Sequence, residues 1–235
     1  MGGRHIYLLI DGDTPCYAAA AVHEEDDVER ACYEVDAILN GYLTNTAATD
    51  FKVYITGDNN FRYNIYPEYK ANRLKTPKPR HLQAVREHVM RTYNPVVSQG
   101  NEADDELAFA QTAETCICTI DKDLNQVPGK HYHPGLLRKN VWIKEPHFYT
   151  VTEEEGRHFF YNQLLVGDAT DNIKGAVGIG PKKAENILTG CRTEWDYYQA
   201  CLPFFSCDEE LLLNARCLKI GQTESSLWLP PKETE

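Results

Sequence analysis

Apolar runs in this chain repeatedly end on an acid. Residues 5–10 (His-Ile-Tyr-Leu-Leu-Ile) stop at Asp11, and residues 51–57 (Phe-Lys-Val-Tyr-Ile-Thr-Gly) stop at Asp58. Val96-Val97 leads to Gly100 and Glu102, and residues 116–120 (Cys-Ile-Cys-Thr-Ile) lead to Asp121. Short, continuous apolar runs of this kind predict strands buried on both faces, as in a parallel sheet. The carboxyl ends of parallel strands share one edge, where open α/β folds place their ligands.

Between the first two runs, Val28, Cys32, Val35, Leu39 and Tyr42 recur at helical spacing and predict an amphipathic crossover helix. The acids Glu24 to Asp27 suit its amino end. A further helix is expected to start near Glu102 and run through Leu107 and Phe109, with Asp104 and Asp105 in its first turn. Alternation of strand and helix predicts an α/β fold, a largely parallel sheet flanked by helices, over residues 1–145. From Thr152 the pattern turns helical, with Phe159, Phe160, Leu164 and Leu165 on one face, so residues 146–235 are expected to form a smaller helical domain. Asp168 and Asp171 follow at a spacing that puts both carboxylates on one side of a helical turn. Pro181 suits the first position of a new helix, and the glycines before it allow a tight hairpin over about 172–188.

Nine acids thus gather in clusters: Asp11, Asp58, Glu102, Asp104, Asp105, Asp121, Asp123, Asp168 and Asp171. Neighbouring carboxylates raise each other's pKa, so such crowding is unfavourable unless divalent cations sit among them. The pattern predicts a hard-cation site, most simply two Mg²⁺ (or Mn²⁺), built for chemistry on phosphate. Asp13 would either support the metal cluster through water or cap the helix that starts after Thr14, and capping is the favoured reading. His131 and His133, alternating without a nearby third ligand, read as strand or surface residues rather than a metal pair.

Composition refines this reading. Of the 235 residues 42% are hydrophobic, enough for a core, and no apolar stretch approaches a membrane span, so a cytoplasmic protein is expected. Eight cysteines include no Cys-x-x-Cys pair and read as reduced, mostly buried thiols. Net charge is −11, which argues against a polyanionic partner until its distribution is considered. Arg62, Lys70, Arg73, Lys75, Lys78, Arg80, Arg86 and Arg91 face only Glu68 and Glu87 over that segment, a local balance of +6. A basic segment beside a cation-bearing cleft is an electrostatic footprint for nucleic acid.

At this point the chain resembles the flap endonuclease superfamily of 5′ nucleases, and particularly its compact bacteriophage 5′-to-3′ exonucleases. The resemblance rests on an ordered series: Ile10-Asp11-Gly12-Asp13, Gly57-Asp58, Tyr66-Pro67-Glu68-Tyr69-Lys70-Ala71-Asn72-Arg73, Glu102-Ala103-Asp104-Asp105, Asp121-Lys122-Asp123, Gly167-Asp168-Ala169-Thr170-Asp171-Asn172 and Gly178-Ile179-Gly180-Pro181-Lys182. It implies a metal-dependent phosphodiesterase with a PIN-like core and a helix-hairpin-helix variant behind it. By position, Asp11, Asp58, Glu102, Asp104, Asp121 and Asp123 would hold the tighter metal or its waters, and Asp105, Asp168 and Asp171 would shape the weaker site. Lys70 and Arg73 would project from one helix face towards the scissile phosphate. Tyr69 would either stack on a terminal base or pack in the interior. Gly178, Gly180, Lys182 and Lys183 would hold one phosphate strand, with K⁺ on the hairpin's carbonyls. Only residues 74–101 separate the Tyr-Lys-x-Asn-Arg and Glu-Ala-Asp-Asp motifs, which predicts a short gateway over about 62–95 in place of a full arch.

The implied partners are DNA with 5′ ends, nicks, gaps or flaps, and RNA–DNA hybrid where primers are removed, in phage-type replication or repair. Protein partners are left open. Two other enzymes share fragments of the pattern. A haloacid-dehalogenase-type phosphatase matches Asp11-x-Asp13 and Gly167-Asp168 but wants Thr where Pro15 stands, and a PIN-type ribonuclease lacks the hairpin. A catalytically dead DNA-binding scaffold would gain nothing from retaining nine mutually repelling acids.

Overall fold

A computed structural model describes residues 6–138 and 141–233. The strand start expected at His5 lies outside the described residues. In chain order the sheet-bearing part contains β1 (Tyr7–Asp11), α1 (Asp13–Val22), α2 (Val28–Thr46), β2 (Asp50–Ile55), α3 (Phe61–Ile65), α4 (Leu82–Tyr93), β3 (Val96–Val97), α5 (Ala103–Ala110), β4 (Thr115–Cys118), β5 (Gly129–His133), β6 (Leu136–Arg138), β7 (Val141–Lys144) and β8 (His147–Val151). Then follow α6 (Glu153–Val166), β9 (Gly167–Asp168), β10 (Ile173–Lys174), α7 (Pro181–Leu188), α8 (Glu194–Cys201) and α9 (Asp208–Leu218).

Six strands form the central sheet in the order β3-β2-β1-β4-β5-β8. All neighbours are parallel except β5 and β8, which pair antiparallel. Both faces of the sheet are covered, which is why its strands read as unbroken apolar runs. Leu8, Ile10, Val53, Ile55, Cys116 and Cys118 pack under α1, α2 and α4, while Leu9, Tyr54 and Ile117 pack against Ala103 and Leu107 of α5. The sheet extends through Val151, past the boundary expected at 145; β8 and the β6–β7 hairpin carry no pattern distinct enough to read from the chain.

A separate core joins α6, α7, α8 and α9 around Phe160, Tyr161, Leu164, Leu165, Leu188 and Leu211. Trp228, which the chain alone does not explain, closes this core with its ring 5.9 Å from Phe160 and 6.1 Å from Tyr198. A capping box starts α6, with Glu155 N–H donating to Thr152 Oγ1 at 3.1 Å and Thr152 N–H to Glu155 Oε2 at 2.8 Å. All eight cysteines are free, and five of them are buried. Among the described residues no helix is long and apolar enough to cross a membrane.

Candidate active site

The carboxyl edge of the sheet collects the acids. Asp11 ends β1 and is 5% exposed. It accepts Asp13 N–H at 3.1 Å, Thr14 Oγ1 at 2.8 Å and Thr119 Oγ1 at 2.9 Å. Burial, reinforced by Asp13 and Asp121, pushes its carboxyl up to about 6 despite the two hydroxyls. Asp104, in the first turn of α5, is driven well above the usual carboxylate range by burial and then by Asp11, Asp121 and Glu102. Asp121 is exposed and caps the 3₁₀ helix Lys122–Gln126, accepting Asp123 N–H at 2.8 Å. Burial, with Asp121, Asp168 and Asp171 nearby, pushes Asp123 up to about 7. Asp121 thus lies near enough to Asp11, Asp104 and Asp123 to disfavour charge on each of them.

Asp168 ends β9 and Asp171 stands on the tight turn from β9 to β10, neither of them on a helix. The turn needs Gly167, whose φ is +80° and whose added Cβ would stand 2.2 Å from Gly175 N. Asp168 accepts Thr170 N–H at 2.7 Å, Asp171 N–H at 3.3 Å and Gln163 Nε2 at 3.1 Å. Burial opposes its charge, but these donors and Lys122 hold its carboxyl below the usual range. Asp58 lies exposed in the loop after β2, at the same sheet edge.

The Tyr66–Arg73 motif docks onto this turn. Asn72 Nδ2 donates to Ala169 O at 2.6 Å, Arg73 Nε to Thr170 O at 3.2 Å, and Asn172 Nδ2 to Glu68 O at 2.8 Å. Lys70 bonds Glu102 and lies 3.6 Å from Asp171, and Arg73 Nη2 reaches Asp171 at 2.5 Å. Burial disfavours charge on Glu102, yet Lys70 and Arg62 outweigh it and hold the carboxyl low. Asp171 is raised by burial and by Glu102 against the pull of Lys70 and Arg73.

Several expectations are corrected here. Lys70 and Arg73 do not share a helix face: Lys70 has φ +55° and precedes a 3₁₀ helix that carries Arg73. Tyr69 is 2% exposed and has no face for a base; its hydroxyl lies 2.8 Å from Asp171 and 3.0 Å from Glu102, with one proton to share between the two carboxylates. Arg62 leaves the basic footprint, because it is buried against Asp105 with Nη1 to Oδ2 at 2.6 Å and Nη2 to Oδ1 at 3.0 Å. Asp105 in turn is fully buried and also accepts Glu102, Gly221 and Gln222 N–H groups, so neither oxygen has room for a metal. Asp13 caps nothing; it accepts Thr56 N–H at 2.9 Å and bonds Arg86. His131 and His133 do lie in a strand, β5.

Gln163 and Gln126 stand behind the acids, a placement that the chain alone does not reveal. Gln163 Nε2 donates to both Asp123, at 3.0 Å, and Asp168. On the hairpin, Ile179 is buried, Val177 is 90% exposed, Gly178 has φ +73°, and Gly180 and Pro181 start α7 with Lys182 and Lys183 exposed in its first turn.

The donor set fits hard divalent cations: the side chains are carboxylates, and the protein's own ammonium and guanidinium already lie against Glu102 and Asp171. Among the described residues no three acidic, histidine or cysteine side chains make a ready cage.

Residues 7–154 match the family model of the 5′–3′ exonuclease N-terminal resolvase-like domain, and the chain belongs to this family of 5′ nucleases. The phosphatase alternative falls with that match. The chain is 28% identical over 203 residues to the flap endonuclease Xni of Shewanella oneidensis, covering 80% of this chain and 76% of that one. It is 34% identical over 155 residues to the thermostable DNA polymerase I of Thermus aquaticus, covering 60% of this chain but 18% of that one. Its fold matches T5 5′-exonuclease, described with bound divalent metal ions (zinc), with a TM-score of 0.70 at 16% identity over 92% of this chain and 90% of that one. A T5 D15 flap endonuclease in a pseudo-enzyme-product complex with DNA and metal ions gives 0.60 at 16% identity, covering 91% and 86%.

Proposed function

We propose that this 5′ nuclease hydrolyses DNA phosphodiester bonds at 5′ ends, nicks, gaps and flaps, and RNA–DNA hybrid at primers, using two Mg²⁺ or Mn²⁺. The observation that carries this reading is the gathering of the acids at one edge of the sheet, with Asp11 ending β1, Asp104 in the first turn of α5, Asp121 capping the turn that holds Asp123, and Gln163 bridging Asp123 and Asp168. Asp11, Glu102, Asp104 and Asp121 would hold one cation, Asp123 and Asp168 the other, with Asp58 and Asp171 at the margins. When bound, such cations supply a hydroxide from water and neutralise charge on the transition state and the leaving 3′ oxygen.

The chain's own residues do the rest. Lys70 and Arg73 neutralise Glu102 and Asp171 in the free protein and donate to phosphate oxygens when substrate arrives, Lys70 as a point charge and Arg73 as a fork. Tyr69 orients Glu102 and Asp171 from below. Lys75, Lys78 and Arg80, all exposed, line a short gateway. Exposed N–H groups around Gly178 and Gly180, with Lys182 and Lys183, hold one phosphate strand without reading bases, and hairpin carbonyls take K⁺. The sheet unit through Val151 would be the catalytic domain and the helices after it the DNA-holding domain, working in the cytoplasm during replication or repair.

The test is a time course on 5′- and 3′-labelled nicked, gapped, flapped and RNA–DNA hybrid substrates in Mg²⁺, with EDTA as control. Mononucleotide or short-fragment release from the 5′ end that stops in EDTA is expected. Release from the 3′ end, or cleavage that persists in EDTA, would overturn the proposal.

A further inference from the structure

Residues 217–222, the last turn of α9 and the chain leaving it, connect to both groups of acids. The carbonyls of Cys217 and Lys219 accept Arg62 Nε at 2.9 Å and Arg62 Nη2 at 2.8 Å. The same guanidinium grips Asp105, which also takes Gly221 N–H at 2.9 Å and Gln222 N–H at 3.2 Å. Asp105 and Glu102 form the capping box that sets the first turn of α5, the turn carrying Asp104.

The residues in between serve the other group. Leu218 O accepts Gln126 Nε2 at 2.8 Å, and Ile220 N–H donates to Gln126 Oε1 at 3.2 Å. A carbonyl only accepts and an amide N–H only donates, so these two backbone groups dictate which way the Gln126 amide points. Its Nε2 then donates to Gln163 Oε1 at 3.0 Å, which leaves Gln163 Nε2 for Asp123 and Asp168. Close approach of α6 depends on Gly156, where a Cβ would stand 2.6 Å from Gln126 O. Arg62, Asp105, Gln126 and Gln163 are all buried.

We infer that residues 217–222 are a positioning platform that sets the spacing between the acids of α5 and the pair Asp123 and Asp168, through Arg62 and Asp105 on one side and Gln126 and Gln163 on the other. The inference rests on the divalent-cation reading proposed above. Mutually repelling carboxylates do not keep a spacing by themselves; a tier of hydrogen-bonded residues behind them does. Because the anchors are backbone groups of consecutive residues, a shift of the segment displaces both acid groups at once. Arg62, Gln126 and Gln163 are positioning residues that touch no reacting atom.

Full-length Gln126→Leu tests one arm. It should keep the wild-type circular dichroism spectrum and bind 5′-ended duplex in EDTA as wild type does, while Mn²⁺ affinity and kcat each fall at least tenfold with KM for DNA unchanged. Arg62→Met with Asp105→Leu replaces the buried ion pair by apolar side chains and tests the other arm by the same readouts. A third measurement needs no variant. Linkage requires Mn²⁺ to slow amide hydrogen exchange at residues 217–222 of the wild type, although none of these residues carries a carboxylate. Folded variants with wild-type Mn²⁺ affinity and kcat, or exchange at 217–222 indifferent to Mn²⁺ that does bind, overturn the platform. Wild-type protein that neither binds Mn²⁺ nor cleaves overturns the proposed function itself.

Discussion

The hydroxyl of Tyr69 lies 2.8 Å from a carboxylate oxygen of Asp171. It thereby ties the Tyr66–Arg73 segment to the turn between β9 and β10 and works from the interior rather than against a nucleobase. Tyr69→Phe keeps the ring and removes the donor. A hydrogen bond to a charged acceptor contributes about 1.5 to 3 kcal/mol, so urea unfolding should show a loss in that range. Binding of 5′-ended duplex in EDTA should be unchanged; a stacking tyrosine would instead lose affinity only when the ring is removed, so Tyr69→Leu is the informative companion.

Asp104 and Asp105 are adjacent in sequence and opposite in role. Asp105→Ala strands the buried Arg62 charge and should cost about 3 to 5 kcal/mol in urea unfolding. Asp104→Asn removes one of several repelling carboxylates and should raise the stability of the metal-free protein at neutral pH while abolishing Mg²⁺-dependent cleavage. Equal stability losses for the two variants would reject this division. Asp123→Asn should behave as Asp104→Asn does.

Stability of the metal-free protein should depend on pH in an unusual direction. Asp11 and Asp123 are pushed up to about 6 and about 7, against about 3.9 in an unfolded chain. Between those values the folded state binds more protons than the unfolded state, so stability falls as pH rises from about 4 to about 7. Glu102 and Asp168 are shifted the other way, and their contribution is present at higher pH and lost only as pH falls through their depressed values. Melting curves in EDTA should therefore show a lower Tm at pH 7.5 than at pH 5, and Mg²⁺ should restore Tm most strongly at the higher pH. A Tm in EDTA that climbs over this window would contradict the assignment.

Lys182→Ala with Lys183→Ala should weaken duplex binding and flatten the dependence of log K on log salt by about 0.9 for each phosphate no longer neutralised. An unchanged slope would remove the hairpin from the DNA path.

How much of this was legible in the chain depends on how local the cause is. Strands leading to Asp11, Asp58 and Asp121, the helix from Val28 and the capped turn at Glu102 follow from neighbours a few residues apart. The antiparallel β8 does not, because its exposed, mixed residues carry no period. Arg62 looks like one more cation in a basic segment, but its carbonyl partners stand 155 and 157 residues away. Asp105 looks like one more ligand, yet a fully buried carboxylate beside a buried arginine is a structural pair, and burial is a property of the folded chain. Gln126 and Gln163 give no signal at all, since their function comes from partners on α9, α6 and two separate turns.

The claim on which these predictions depend is that the acids share two divalent cations. An anomalous-difference map from crystals soaked in Mn²⁺ tests it most directly. Two peaks roughly 4 Å apart are predicted, one among Asp11, Glu102, Asp104 and Asp121 and the other against Asp123 and Asp168, with none at Asp105. A map with no ion at this edge of the sheet, or with manganese bound through Asp105, would contradict it.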